Sequence, residues 1–270
     1  MPEGPEILFC ATFYKKYLDN SIITDVTSYT SKKITLPDDY IGKVLDVDCK
    51  GKLMWFHVSG KNKKTFYIHI HYGLKGWITS EEDARNIKYM FSINNQSNLY
   101  LDDAINYSSV SILNELEHEK IIDGLGVDIF SSKFTLELFK KEITKRKSLL
   151  AGFILNQKIF AGIGNYIKNE SIYMSKLNIH IKTNQLSDDD IDKLYKNILY
   201  VSYSQLITLI KKANLKKSNI NKNKLKNMPK QTNSNYVYKI YKRNETDDGQ
   251  LVIKTKVSGR DSYSTKELSN

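Results

Sequence analysis

The residues best placed to do chemistry open the sequence: Met1-Pro2-Glu3-Gly4-Pro5-Glu6. Removing Met1 leaves Pro2 with a free secondary amine. An α-amino group titrates at about 7.7–8.0, against about 10.4 for lysine, so much more of it is uncharged and nucleophilic at neutral pH. Attack by a secondary amine on a sugar C1′ gives an iminium, whose fixed positive charge acidifies the C2′ proton. A carboxylate beside it, Glu3, can move protons to and from that sugar. The competing reading is an ordinary helix start, since Pro and Glu are both favoured in a first turn.

Several elements must position these groups. Ile7, Leu8, Cys10, Phe13, Tyr14, Tyr17 and Leu18 fall at helical spacing over 6–18. From Ile22 to about Leu113 the pattern changes to short β-prone segments. Leu53–Val58 and Thr65–Ile70 flank a turn at Ser59-Gly60-Lys61-Asn62, and further segments lie near 41–48, 88–93, 99–102 and 108–113. This spacing predicts a sandwich or barrel. Residues 114–132 read as a connector, and helical periodicity follows at Phe134, Leu136, Leu138, Phe139 and Ile143, then at 149–155 and after Gly164. The clearest helix starts at the N-cap Ser187, with Asp188, Asp189 and Asp190 complementing its dipole. Its apolar stripe is Ile191, Leu194, Ile198, Val201, Leu206, Leu209 and Ile210. The stretch 214–235 lacks such a period and reads as a mobile loop. Beyond it, 236–241 and 251–257 read as two strands around Asp247-Asp248-Gly249. Two lobes joined by a connector imply a cleft.

Charge names a class of partner. Of 270 residues, 41 are Lys or Arg and 30 are Asp or Glu, a net charge of +11. Lys211–Arg243 holds ten Lys, one Arg and no acid, so this one stretch carries the whole excess. Codon bias would spread lysine evenly; a polyanion partner, nucleic acid first, accounts for the clustering. No apolar run approaches a membrane span, and the N-terminus lacks a secretory pattern. Cys10 and Cys49 are too few for a disulfide framework or an all-Cys zinc site, so an intracellular protein is expected. His69 and His71 share a strand face, but nothing brings the cysteines to them, and no metal or cofactor is expected.

In order along the chain stand Met1–Glu6, Gly51-Lys52, Gly162-Ile163-Gly164-Asn165-Tyr166-Ile167-Lys168-Asn169-Glu170 and Ser258-Gly259-Arg260-Asp261-Ser262-Tyr263. Together they make the chain resemble the formamidopyrimidine-DNA glycosylase/endonuclease VIII family from residue 2 to about 263. With no cysteine in the finger segment, it is most similar to the zincless-finger, endonuclease VIII-like branch. The resemblance implies an α+β multidomain chain. Residues 1–113 would form a catalytic β-sandwich with a flanking helix, 114–132 a connector, and 133–213 a helix-two-turn-helix domain. A basic flexible loop, 214–235, and a zincless β-hairpin finger, 236–265, would follow.

The resemblance also assigns roles. Pro2 falls on the nucleophile, Glu3 on the proton-transfer carboxylate, Glu6 on a supporting acid and Lys52 on a catalytic, phosphate-contacting lysine. His71, Asn165, Tyr238 and Arg260 fall on DNA-contacting positions. Leu74 matches a residue that fills the hole left by an extruded base, or is a buried strand residue. Where the family has Arg-x-Phe after an Asp, Asp103 is followed by Ala104-Ile105-Asn106-Tyr107; Tyr107 replaces Phe and Ile105 replaces Arg. Leu155-Asn156-Gln157 resembles the family's Leu-Asp-Gln. The implied activity is a bifunctional glycosylase and abasic-site lyase that excises oxidised bases, pyrimidines first, and cleaves by β,δ-elimination. The partner would be damaged double-stranded DNA, with single-stranded DNA a further one, and the protein a monomer. The alternatives are a preference for oxidised purines, or a non-catalytic damaged-DNA binder on the same scaffold.

Overall fold

The computed structural model describes residues 2–31, 34, 41–60, 64–80, 85–94 and 97–269. The turn residues Lys61 and Asn62 lie outside them. The chain divides into two compact units, 1–124 and 125–270.

Unit one opens with helix α1 (Gly4–Tyr17), with Pro5 in its first turn and Ile7, Leu8, Cys10, Ala11 and Tyr14 buried. The strands are β1 (Ile22–Ser28), β2 (Gly42–Lys50), β3 (Leu53–Ser59), β4 (Thr65–His71), β5 (Trp77–Thr79), β6 (Ile87–Ile93), β7 (Ser97–Asp102) and β8 (Ser109–Leu113). They form one antiparallel sheet in the order β5-β7-β6-β1-β2-β3-β4-β8. The expected sandwich is this single sheet curled over. Phe56 on β3 and Phe91 on β6 lie three strands apart in that order, yet their rings meet edge-on at 5.7 Å, both fully buried. Helix α1 packs on β2 and β3, while its Tyr14 hydroxyl donates to the Ile78 carbonyl of β5 at 2.5 Å.

The stretch read as a connector starts with helix α2 (Glu115–Asp123), capped reciprocally by Asn114 and Glu117. It lies on the second face of β3 and β4. Strand β3 alternates strictly, with Met54, Phe56 and Val58 inward. Its outward Trp55 and His57 would be solvated without a cover. His118 of α2 stacks on Tyr67 at 3.7 Å, Tyr67 stacks on His57 at 4.6 Å, and Trp55 meets His118 edge-on at 5.0 Å. His69 Nε2 hydrogen-bonds His118 Nδ1 at 2.7 Å, and Lys50 Nζ donates to the Ile122 carbonyl at the helix C-terminus. His69 is therefore a core histidine, separated in role from His71 at the end of β4.

This cluster makes unit one acid-sensitive. Burial, then His118, hold the His69 imidazole down to about 4. Burial and His57 lower His118, against an opposing pull from Glu115. Both groups are thus neutral in the folded state, whereas the unfolded chain takes up their protons as pH falls through 6.5. The docking of α2 is at full strength above pH 6.5 and is lost progressively toward about 4. Amide exchange over 115–123 should accelerate across that window, and exchange rates flat after correction for intrinsic pH dependence would contradict the assignment.

Unit two contains β9 (Val127–Asp128), α3 (Leu136–Thr144), α4 (Leu150–Ile154), β10 (Phe160–Ala161), α5 (Asn165–Met174), α6 (Asp188–Lys212), β11 (Ile253–Val257) and β12 (Arg260–Ser264). Strands β9 and β10 pair in parallel, and β11 and β12 form a hairpin. Phe134, Phe139, Phe160 and Tyr195 interlock at ring distances of 5.2–5.9 Å, making an aromatic core under α6. Ser187 caps α6 and exchanges hydrogen bonds with Asp190.

Two sequence expectations need correction here. The stretch 214–235 is docked on the unit rather than free. Lys224 pairs with the buried Asp128 at 2.6 Å, and Tyr203 donates to the Lys224 carbonyl. The Asn227 amide reaches the carbonyls of Ser131 and Phe134, and Ile220 is buried. The second correction concerns the hairpin. Residues 236–241 are not a strand, 236–238 being irregular and 239–241 bending away, and β11 pairs with β12 instead, Val257 opposite Arg260. The linking residues Ser258 (φ 51°) and Gly259 (φ 74°) are both left-handed, as a two-residue primed turn requires. Asp247-Asp248-Gly249 is a separate turn inside the segment leading to β11.

Candidate active site and nucleic-acid contacts

In unit one the N-terminal residues sit at the head of α1. Pro2 is half-buried and Glu3 is 1% exposed. Glu3 occupies the N-cap in extended backbone, and Glu6 closes a capping box with it, its Oε2 accepting the Glu3 N–H at 2.9 Å. Glutamate is not among the side chains favoured at an N-cap. Capping explains Glu6 better than it explains a buried Glu3.

One turn on, Cys10 is fully buried. Burial pushes its thiol up, a hydrogen bond from Tyr72 lowers it, and the nearby Glu6 carboxylate raises it again. Tyr72 also reaches Met54 Sδ at 3.4 Å and directly follows His71 at the end of β4. Lys52 follows Gly51 (φ 61°) in the β2–β3 turn, and β3 then sets Leu53 opposite His71. Burial, then the Lys52 charge, depress His71. A continuous set of neighbours therefore runs from Glu6 through Cys10 and Tyr72 to His71 and Lys52, all at one end of the sheet.

The residues expected to fill a base-sized hole are also brought together. Leu74 lies in the turn after β4 and is 37% exposed, so the buried-strand reading falls; Tyr107 is 65% exposed. Gly73 (φ +60°) stands against the Tyr107 backbone, where an added Cβ would come within 2.5 Å of the carbonyl carbon. Asp103 anchors the second turn by accepting the N–H groups of Ile105, Tyr107 and Ser108. Burial raises the Asp103 carboxyl, and these donors outweigh it, leaving it below the usual range. Gly73→Ala combines a left-handed φ with a clash against backbone. It should cost about 1–3 kcal/mol and lower the melting midpoint, and an unchanged midpoint would show that the two turns do not rely on this contact.

Unit two carries the remaining positions. Gln157 locks the turn before α5: its amide donates to the Leu155 and Ile163 carbonyls while its Oε1 accepts the Gly162 N–H. Gly162 needs its freedom, at φ 108°. Asn165 opens α5, and its Nδ2 donates to the Asp261 carbonyl of β12 at 2.9 Å. The side chain expected to reach DNA is thus already engaged with the hairpin. Arg260 is exposed at the first position of β12. Tyr238 is half-buried among Tyr166, Tyr236 and Tyr241 in the turn segment.

Two family models match this chain. The formamidopyrimidine-DNA glycosylase N-terminal domain covers residues 1–109, and the formamidopyrimidine-DNA glycosylase H2TH domain covers 125–209. The chain belongs to the formamidopyrimidine-DNA glycosylase/endonuclease VIII family. Among relatives of that family, the formamidopyrimidine-DNA glycosylase of Protochlamydia amoebophila is 27% identical over 213 residues, 74% of this chain and 75% of that protein. That of Rickettsia conorii is 24% identical over 209 residues, 73% and 75% of the two chains. Among solved structures, the Lactococcus lactis formamidopyrimidine-DNA glycosylase bound to abasic-site DNA has a TM-score of 0.75 at 14% identity, covering 99% of both chains. The Thermus thermophilus family member has a TM-score of 0.74 at 16% identity, covering 99% of this chain and 98% of that one.

Sequence reasoning missed what holds the family's C-terminal positions here. Lys168, Asn169 and Glu170 are all fully buried in α5. Glu170 accepts the Tyr236 hydroxyl at 2.6 Å and the N–H groups of Lys239, Ile240 and Tyr241 at 2.7–2.9 Å. The sequence carried little signal, since α5 mixes polar and apolar residues, and the partners lie some 66–94 positions away in sequence.

Proposed function

We propose that the protein is a base-excision-repair DNA glycosylase that removes oxidised bases through Pro2 and also cleaves the abasic strand. The observation that carries this reading is the buried carboxylate of Glu3 beside the imino acid Pro2, at a helix head adjoining the Lys52–His71 end of the sheet. With Met1 removed, the Pro2 nitrogen attacks C1′. The C1′–N bond breaks, and its electron pair leaves with the base, which gains a proton. The Pro2 nitrogen gives up its proton and the C1′–O4′ bond opens, its electron pair taking a proton at O4′ from Glu3; the resulting iminium draws electrons from C2′. Loss of the C2′ proton to a carboxylate, Glu3, expels the 3′ phosphate, and a second elimination expels the 5′ phosphate. Water then hydrolyses the iminium and returns Pro2.

Lys52 and His71 serve as phosphate-side groups, Leu74 and Tyr107 fill the vacated stack, and Arg260 with Tyr238 and Asn165 forms the second phosphate contact. The substrate is damaged duplex DNA, whose poorly stacked nucleotide is cheaper to extrude than a normal one. A finger without cysteines supports the endonuclease VIII-like branch and oxidised pyrimidines. A second reading, oxidised or ring-opened purines, is favoured by related structures solved with Fapy-dG and 8-oxo-G DNA.

Borohydride reduction with an abasic-site duplex tests the chemistry. A covalent adduct at Pro2, located by mass spectrometry, is expected. No adduct from Met1-processed protein would leave the non-catalytic binder. A panel of oxidised-base duplexes decides between the two lesion classes.

A further inference from the structure

We propose that Lys168 is a positioning residue: a buried cation that sets the backbone register of the β11–β12 hairpin and so aims Arg260 at DNA phosphate. This rests on the reading of Arg260 as a phosphate contact and adds the device that holds it. A two-stranded hairpin is marginal alone, and this one contains no cysteine to staple it. It is gripped from α5 instead. Lys168 Nζ donates to the Asp261 carbonyl at 3.1 Å and to Ser262 Oγ at 2.8 Å. The amides of Asn165 and Asn169 reach the same carbonyl at 2.9 and 3.4 Å, and Asn169 Oδ1 accepts the Tyr263 N–H at 2.9 Å. Three side-chain donors thus converge on one peptide oxygen, one residue past Arg260.

That peptide is the natural place to fix the arginine. Arg260 is exposed and pairs with Val257 across the Ser258–Gly259 turn, so its side chain has no packed surface to set its direction. Lys168, by contrast, has no measurable exposure. A fully buried ammonium is a costly way to fill space, and an apolar residue of the same length would hold the core as well or better. What the ammonium adds is geometry: a slip of the hairpin by one residue would take both acceptors away from it.

The test uses the full chain and a duplex carrying a reduced abasic site, with affinity measured over a salt series. Lys168→Met keeps the side-chain length and should leave the melting midpoint equal or higher. It should weaken binding on the order of tenfold and reduce the slope of log Kd against log salt by about one, as Arg260→Ala does. The double variant should bind no more weakly than Arg260→Ala alone. Ser262→Ala, which removes one acceptor, should move affinity and slope the same way by less, and it carries the same double-variant comparison if Lys168→Met does not fold. A wild-type slope in Lys168→Met or Ser262→Ala, or additive losses in the double variant, would overturn the clasp while leaving Arg260 as a contact. An unchanged slope in Arg260→Ala itself would overturn the phosphate role and the proposal with it.

Discussion

Glu3→Gln is expected to slow base release in single turnover by about 10²–10⁴-fold, the range general acid–base groups supply, while changing affinity for damaged duplex no more than a few-fold. The substitution replaces one carboxylate oxygen by an amide of nearly the same size, so the slot that leaves Glu3 1% exposed stays filled. The amide carbonyl can still accept the Glu6 N–H of the capping box, and the Glu6 carboxylate still receives the Glu3 N–H. Stability should therefore fall by about 1 kcal/mol or less. Only the ability to take and give a proton is lost. Glu6→Gln is the matched control: it sits in the same box, and its amide oxygen can hold the Glu3 N–H, so the rate should fall far less. Equal losses of rate and affinity in Glu3→Gln, or equal rates in the two variants, would reduce Glu3 to a helix cap.

The sequence revealed the parts whose causes are local. Helix α1 follows from apolar spacing over 6–18, α6 from a Ser cap followed by three aspartates, and the β3–β4 pairing from alternation either side of a Gly turn. Two local turn signals compete near the C-terminus. Asp247-Asp248-Gly249 reads as a hairpin turn, yet the strands join through Ser258-Gly259, because 236–241 answers to a distant carboxylate. Three consecutive N–H groups aimed at Glu170 curl the backbone in a way no strand allows, since ladder donors alternate in direction. The same holds for 214–235. Its composition lacks periodicity, but single long-range partners, Asp128 for Lys224 and the Phe134 carbonyl for Asn227, tie it down. Helix α2 was hidden for another reason. It is short, no residue of it is buried outright, and its value lies in presenting one histidine to the sheet.

The largest structural effect should come from Glu170→Gln. Four donors, the Tyr236 hydroxyl and three backbone N–H groups, meet the two oxygens of this buried carboxylate. An amide offers one oxygen and turns an NH₂ toward the remaining donors, leaving at least two of them unsatisfied and facing hydrogen. Breaking a buried charged network of this kind costs about 3–5 kcal/mol, roughly 10 °C in the melting midpoint of a unit this size. Tyr236→Phe gives the graded comparison. Burial, and next the Glu170 charge, push its phenol up, so it stays a donor at every working pH. Removing it leaves the carboxylate three partners, for a cost of about 1–2 kcal/mol. Amide exchange separates a local collapse from a general one: protection over 236–241 and 253–264 should fall in Glu170→Gln, with 115–123 unchanged. A midpoint within a degree or two of the parent would mean that the turn segment is held by its tyrosine packing and that the carboxylate is dispensable.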